Sequence, residues 1–206
     1  MNRDELIARI VAREWQLFQE VENIGGRASC QDMPDTFSVM RSSQYSIWTN
    51  DMLASWNSDL DAYSNRGANP LTLKYAYMMQ STHPDEFENI REHIPTISPD
   101  VAKLIEAIIV IQLGWAEELA QSYPLTTQRG RPLRTSQDTA TQTSQETYAR
   151  GELSTYSKRT LELMYAHFDK AAQAGNNLQE QIVLTEACIY GYTSLDDVES
   201  SLANGN

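Results

Sequence analysis

The amino-acid sequence predicts an all-α protein, a single-domain bundle of about five to eight helices with one long polar loop. Apolar residues recur every three or four positions over long stretches, and no segment alternates between apolar and polar residues with period two. Only nine glycines and seven prolines occur among the 206 residues, fewer than a turn-rich all-β protein needs. Because a chain of this length can bury one hydrophobic core, we expect residues 1–206 to form one helical domain.

In the N-terminal half, glycine and proline mark the predicted helix boundaries. Gly25 and Gly26 end the first helix, since glycine readily takes the left-handed conformation found after a last helical turn. A loop follows at 27–33, and Pro34 with Asp35 starts the second helix. The predicted helices of this half span residues 4–24, 34–63, 70–82 and 84–93.

In the C-terminal half, Ser98, Pro99 and Asp100 form a helix start, with a capping hydroxyl, a proline at the first position and an acid near the positive helix end. A polar loop at 123–142 follows this helix and is long enough to be a functional lid or a mobile segment. A capping box at 143–146 opens the next helix. The predicted helices of this half span residues 99–122, 143–174, 177–190 and a short last stretch that frays at 203–206.

The charge balance excludes two classes of partner. The formal net charge of −12 repels both the phosphate backbone of nucleic acids and anionic membrane surfaces. The sequence begins without the apolar core of a signal peptide, and its apolar runs are too short to span a bilayer. We therefore expect a cytoplasmic protein in which Cys30 and Cys188 are reduced thiols, with neither nucleic acid nor membrane as a partner.

Common cofactor and metal motifs are absent from the sequence. None of the three histidines has a glutamate three residues before it, as di-iron bundles require. Zincin, Cys-x-x-Cys, phosphate-loop and dinucleotide-binding patterns are also missing. We assign no cofactor and expect no metal, although pattern alone does not exclude a site built only from carboxylates.

Charged residues at apolar positions are the first candidates for a functional site. Glu14 lies between Ile10 and Leu17 on the stripe of the first helix, where a carboxylate needs a cation or several hydrogen-bond donors. Arg41 and Gln44 lie on the apolar side of the second helix, with Met40 among its apolar neighbours. One interpretation is an Arg41–Glu14 ion pair that fixes the two helices; the other is an arginine that clamps an anionic ligand.

The loop between these two helices is rich in hydrogen-bond donors. Arg27, Gln31 and Asp32 are predicted to bind a ligand, since loops beside helix ends often hold anions. The alternative is capping, in which Asp32 or Asp35 accepts hydrogen bonds from the free amides of the second helix. For Cys30 we favour a small packed residue over a nucleophile.

A third cluster follows the long loop. Tyr148, Glu152 and Tyr156 are four residues apart on one helix face, and a desolvated glutamate beside tyrosines can serve acid–base chemistry. We therefore name Glu14, Glu152 and Tyr148 as candidate catalytic residues. Arg131 belongs to a cationic patch with Arg129 and Arg134, which can close over an anionic ligand or pair with surface acids. We assign Arg131 to ligand binding.

Several blocks of the sequence resemble the bacterial domain-of-unknown-function family 4125. The blocks are residues 14–15 (EW), 23–32 (NIGGRASCQD), 40–44 (MRSSQ), 48 (W), 74–79 (KYAYMM), 130–132 (GRP), 143–148 (TSQETY) and 151–153 (GEL). Met33 stands where we expect an acid in relatives, so Asp32 need not belong to a carboxylate pair. The resemblance covers about residues 4–200 and implies a cytoplasmic one-domain protein, sometimes linked to a nucleotidyltransferase-like domain. It implies no activity and no catalytic residues.

The leading hypothesis from these residues is a protein that binds a small polar or anionic metabolite inside a helical bundle. If it is an enzyme, the buried glutamates, arginine and tyrosine carry acid–base chemistry. The alternative is a non-catalytic partner or binding module of a nucleotidyltransferase-like protein, in which the buried polar residues only fix the helices. The sequence decides neither between these two nor whether the protein is an enzyme.

Overall fold

The computed structural model describes residues 2–22, 26–128 and 130–205, and these parts of the chain are helical with no strand. The all-α prediction is confirmed, but the described residues form eleven α-helices rather than five to eight. They are α1 (Arg3–Gln19), α2 (Pro34–Ser46), α3 (Asn50–Asn65), α4 (Pro70–Thr82), α5 (Pro84–Ile90), α6 (Pro99–Ser122), α7 (Pro124–Thr127), α8 (Gln145–Leu153), α9 (Lys158–Gln173), α10 (Leu178–Ile189) and α11 (Leu195–Ala203). The predicted first helix, 4–24, is too long, because α1 ends at Gln19 with Glu20 as its C-cap and residues 21–22 are not helical. Ile24 and Gly25, the predicted end of this helix, lie outside the described residues.

The prediction of one continuous second helix over 34–63 is wrong, because this stretch forms two helices, α2 and α3. The first ends at Ser46 with Ile47 as its C-cap, and Thr49 starts the second: its backbone is extended, and its hydroxyl accepts a hydrogen bond from the Met52 amide at 3.2 Å. The corner residues Ile47 and Trp48 are buried. The apolar spacing therefore continues through a corner at which the backbone changes direction.

The predicted helix from the capping box to 174 is also two helices, α8 and α9, with Ser157 as the N-cap of α9. At the start of α8, Ser144 caps the helix by accepting a hydrogen bond from the Thr147 amide. The predicted capping box does not form, because the N-cap is Ser144 rather than Thr143 and the third helical position is therefore Thr147. The Glu146 carboxylate instead accepts a hydrogen bond from the Thr135 amide at 2.9 Å. Ser98 likewise makes no cap and donates to Asp100 instead.

The predicted loop 123–142 contains the short helix α7 and a 3-10 turn at Thr135–Gln137. Asp138 anchors it: one oxygen accepts from the Ser144 amide, and the other accepts from the hydroxyls of Ser81 and Thr147, each at 2.6 Å. These donors hold the pKa of Asp138 below its usual value, against the opposing effect of burial. The segment is therefore attached to α4 and α8, which places Arg131 beside them.

The hydrophobic core draws on α1, α2, α3, α6, α8, α9 and α10. Its fully buried side chains include Ile10, Trp56 and Ile108, and Glu14 lies among them. One predicted member of the apolar face of the second helix does not belong to it, because Met40 is 56% exposed. Met40 sits just before the inward-facing Arg41, at the edge of the space described below.

Candidate functional site

Glu14 occupies the core position that the apolar stripe of α1 predicts, and its exposed fraction is 1%. One of its oxygens accepts hydrogen bonds from the Tyr45 hydroxyl at 2.5 Å and from the Trp56 indole nitrogen at 2.9 Å. Arg41 forms a two-bond fork with both oxygens, at 2.7 and 2.8 Å. The predicted Arg41–Glu14 ion pair is present, and four donors compensate the desolvated carboxylate.

Arg41 is saturated by these contacts. Two of its five N–H groups reach Glu14, and a third donates to the Tyr45 hydroxyl at 2.6 Å. The remaining two donate to the Gln44 amide oxygen at 2.6 Å and to Glu152 at 2.8 Å. Burial disfavours its charge, but Glu14 and Glu152 outweigh that effect and raise its pKa well above the usual value. No N–H of Arg41 is left to clamp a ligand.

Glu152, near the end of α8, is the second buried carboxylate. One oxygen accepts from Arg41, from the Gln44 amide at 3.0 Å and from the Tyr156 hydroxyl at 2.7 Å. The other accepts from Lys74 at 2.5 Å. Burial alone raises the pKa of Glu152, but Arg41 and Lys74 outweigh it and hold that pKa well below the usual value. Glu152 is therefore ionised near neutral pH and has no proton to donate as a general acid.

Lys74 is the functional candidate that sequence reasoning missed. It is 7% exposed and shares the buried face of α4 with Pro70 and Met78, four residues before and after it. That spacing is the signal that could have identified it. Close packing brings α4 against α8, since a Cβ on Gly151 would lie 2.8 Å from the Lys74 carbonyl oxygen.

The Lys74 ammonium has one unused donor. One N–H binds Glu152, and the nitrogen lies 3.5 Å from the centroid of the Tyr148 ring, which accounts for a second. No acceptor for the third is found among the described residues. Burial lowers the pKa of Lys74, but Glu152 outweighs this and raises it, so the side chain is a cation.

These four residues form what we call the charged cluster: Glu14, Arg41, Lys74 and Glu152. It contains two carboxylates and two cations, so its formal charges cancel. Its members come from α1, α2, α4 and α8, and it joins those helices through directional hydrogen bonds. Burial raises the pKa values of Tyr45 and Tyr156 well above the usual range, so both remain protonated donors to the cluster.

A cavity of about 210 Å³ lies directly beside the charged cluster, which lines one side of it. Its other walls are mainly apolar and aromatic, and they include Phe18, Phe37, Leu71 and Tyr75. Four exposed residues also line it and mark where it opens to solvent. This mouth consists of Cys30, Met33, Met40 and Arg131.

Arg131 and Tyr148 meet at this cavity. The Arg131 guanidinium carbon lies 4.7 Å from the centroid of the Tyr148 ring, and one of its nitrogens donates to the Thr143 carbonyl at 3.2 Å. Arg131 forms no ion pair with an acid in the described part of the chain. Arg134 instead pairs with Glu117 and does not line the cavity, and Arg129 lies outside the described residues.

The predicted ligand-binding residues of the loop, Arg27, Gln31 and Asp32, do not line the cavity. Gln31 is buried and donates to the carbonyls of Phe18 and Val21, where it satisfies the end of the first helix. Arg27 donates to Asp32 at 2.8 Å and to the Gln31 carbonyl at 2.7 Å. These contacts close the loop on itself, and α2 begins without a side-chain cap. Only Cys30 and Met33 of this region reach the cavity.

In the described parts of the chain, no three histidine, cysteine, aspartate or glutamate side chains are grouped closely enough to hold a metal ion. No helix of those parts has the length and apolar character needed to cross a membrane.

Comparison with known proteins agrees with the resemblance seen in the sequence. No curated protein matches the chain, and no solved structure matches it. A family model described as a protein of unknown function (DUF4125) matches residues 4–200. The protein therefore belongs to the DUF4125 family.

Proposed function

We propose that this protein binds a small anionic metabolite in the cavity beside the charged cluster. The observation that carries the proposal is a cavity with one open mouth that is lined by two cations with donors to spare, Lys74 and Arg131, in a protein of net charge −12. Ligand sites are typically concave and apolar, with a few polar groups that fix the ligand's orientation. The cavity has this composition.

The same contacts favour binding over acid–base chemistry at Glu14 and Glu152. Each carboxylate already accepts four hydrogen bonds, three on one oxygen and one on the other. A general base must reach the proton that it removes, and these donors crowd the oxygens that a substrate proton would have to approach. We infer that the charged cluster shapes the cavity and that Tyr148 contacts the ligand.

A thermal-shift screen of carboxylates, amino acids, phosphates and nucleotides tests the proposal. A ligand at 100 times its Kd stabilises the native state by about 2.7 kcal/mol, which raises the Tm of a chain of this size by roughly 5–10 °C. Arg131→Gln should weaken binding of the compound that raises the Tm. Arg134→Gln is the matched control, because Arg134 lies in the same segment but does not line the cavity.

The two cysteines report where a compound binds. Cys30 is exposed at the mouth, whereas Cys188 is exposed on α10 and does not line the cavity. A compound in the cavity slows alkylation of Cys30 by iodoacetamide and leaves the rate at Cys188 unchanged. If no compound in the screen raises the Tm or protects Cys30, the binding proposal fails. Copurification of a nucleotidyltransferase-like protein would then favour a partner module.

A further inference from the structure

The aromatic side chains on one side of the cavity form a continuous surface. The Phe18 and Phe37 rings stack with centroids 5.4 Å apart and planes 16° apart, and Tyr75 lies 6.4 Å from Phe18 with planes 27° apart. All three line the cavity, and we call them the aromatic wall. Aromatic pairs prefer offset stacked or edge-to-face contacts at such distances, so this wall suits a planar aromatic group better than a flexible polar chain.

Two flexible methionine side chains form part of the mouth next to this wall. Met33 and Met40 are exposed and line the cavity. Methionine side chains are flexible and make favourable sulfur contacts with rings. They can therefore cover the outer edge of an aromatic ligand without a fixed shape of their own.

The polar side of the cavity offers donors. The carboxylates of Glu14 and Glu152 offer no donor, and all five N–H groups of Arg41 are occupied, as described above. What remains among the charged residues is the third N–H of Lys74 and the free donors of Arg131. Burial raises the pKa of Tyr75 to about 12, so its hydroxyl is also a protonated donor near neutral pH. A group that only accepts hydrogen bonds and carries negative charge satisfies these donors best.

The volume limits the size of the ligand. About 210 Å³ is below the roughly 300–1,000 Å³ of pockets that hold drug-sized molecules. A nucleotide or a large cofactor exceeds this volume and would extend out of the mouth, whereas one ring system with a short acidic side chain fits inside it.

We propose that the ligand is a small aromatic carboxylate, with its ring against the aromatic wall and its carboxylate at Lys74 and Arg131. This inference rests on the proposed binding function and narrows it to one chemical class. A carboxylate suits the site better than a dianionic phosphate, since two donor-bearing cations flank the cavity and one of them already neutralises Glu152.

Isothermal titration calorimetry with four probes tests the ligand class. Indole-3-acetate is the aromatic carboxylate, indole-3-acetamide its neutral counterpart, cyclohexylacetate the non-aromatic acid, and inorganic phosphate the small dianion. We expect indole-3-acetate to bind at least about tenfold more tightly than the other three. The amide offers only a neutral acceptor, which makes a weaker hydrogen bond than a carboxylate, and cyclohexylacetate and phosphate lack the aromatic ring. It should also slow the alkylation of Cys30 and leave Cys188 unaffected.

Substitutions at Arg131, which is exposed, and at Phe37, which is half-buried, test separately whether the ligand must be anionic and whether it must be aromatic. Arg131→Gln should reduce the affinity for indole-3-acetate about tenfold and remove its advantage over the amide, whereas Arg134→Gln should change neither. Phe37→Leu should remove the advantage of indole-3-acetate over cyclohexylacetate. Circular dichroism and the urea midpoint confirm that each variant is folded.

The outcomes distinguish this inference from the binding function beneath it. If phosphate or a non-aromatic acid protects Cys30 and indole-3-acetate does not, the ligand class is overturned while the cavity remains a binding site. Equal affinity for the acid and the amide overturns the anionic part. If none of the four probes protects Cys30 and the wider thermal-shift screen is also negative, both proposals fail.

Discussion

Removing the charge of Glu14 should strongly destabilise the fold, and replacing its partner as well should recover part of the loss. Glu14→Gln keeps the shape of the side chain but leaves the buried Arg41 with only Glu152, which Lys74 already neutralises. Breaking one partner of a buried ion pair costs about 3–5 kcal/mol, because the other charge stays desolvated. We expect a loss within this range in the free energy of unfolding.

The double-mutant cycle with Arg41→Met isolates the electrostatic part. Each single variant leaves one unbalanced charge in the charged cluster, whereas the double variant is again neutral. The double variant should therefore lose less stability than the sum of the two single losses, by about 0.5–3 kcal/mol, which is the usual range for residues in one network.

Urea unfolding followed by tryptophan fluorescence measures these values, and Trp56 reports directly because it donates to Glu14. With a slope of about 1–3 kcal/mol per molar urea, the Glu14→Gln midpoint should fall by roughly 2 M. A loss under about 1 kcal/mol for Glu14→Gln, or strict additivity in the cycle, would refute the view that Glu14 and Arg41 form a buried, mutually dependent pair. Arg13→Gln is the control, since its pair with Asp61 is partly exposed and should contribute at most about 1 kcal/mol.

Three further predictions concern pH, packing and the anchored segment. The folded-state pKa of Glu152 lies well below its usual 4.5. Its ionised form therefore stabilises the fold fully above about pH 4.5, and this stabilisation is lost as the pH falls through the folded-state pKa. Urea unfolding measured between pH 7 and 3 should show that Glu152→Gln loses less stability on acidification than the wild type. Gly151→Ala should lower the free energy of unfolding by about 1–3 kcal/mol, because the new Cβ would lie 2.8 Å from the Lys74 carbonyl oxygen. Gly114→Ala, with nothing within 4 Å of its Cβ, should instead raise the free energy of unfolding by about 0.5–1 kcal/mol through helix propensity. Asp138→Ala should release residues 130–144 from α4 and α8. Tryptic cleavage and amide exchange should then become faster in that segment alone. Unchanged protection of the segment would contradict the anchoring role of Asp138.

The spacing of apolar residues predicts the all-α class of the fold, but it does not predict the corners between α2 and α3 and between α8 and α9. Thr49 and Ser157 start new helices inside stretches whose apolar periodicity continues, and neither corner contains glycine or proline. A single capping hydroxyl weakly opposes helix continuation, so the decision depends on which tertiary contacts each direction makes. Burial of Ile47 and Trp48 at the first corner is such a contact, and it is invisible to local patterns.

The charged cluster could be predicted in part, because a charge on an apolar stripe must find a partner wherever the chain folds. This reasoning identifies Glu14, Arg41 and Glu152, which the structure brings together across separations of 27 and 111 residues. It missed Lys74, because α4 carries tyrosines and methionines on several sides and has no clear polar face against which a misplaced lysine stands out. Gln31 shows the opposite error: sequence reasoning assigned it to a ligand, but its amide donates to the backbone carbonyls of Phe18 and Val21, at and just after the end of α1.

Stability alone does not account for the charged cluster. Well-packed apolar residues of similar volume are often as stabilising as a buried ion-pair network, or more so, since they avoid the desolvation cost. What apolar contacts do not supply is direction: a guanidinium with five occupied N–H groups permits one arrangement of its neighbours. The helices that it orients directly are α1, α2 and α8, and Lys74 extends the network to α4. Residues of all four line the cavity, so the cost of burying these charges is best explained by the fixed shape that the cluster gives to that space.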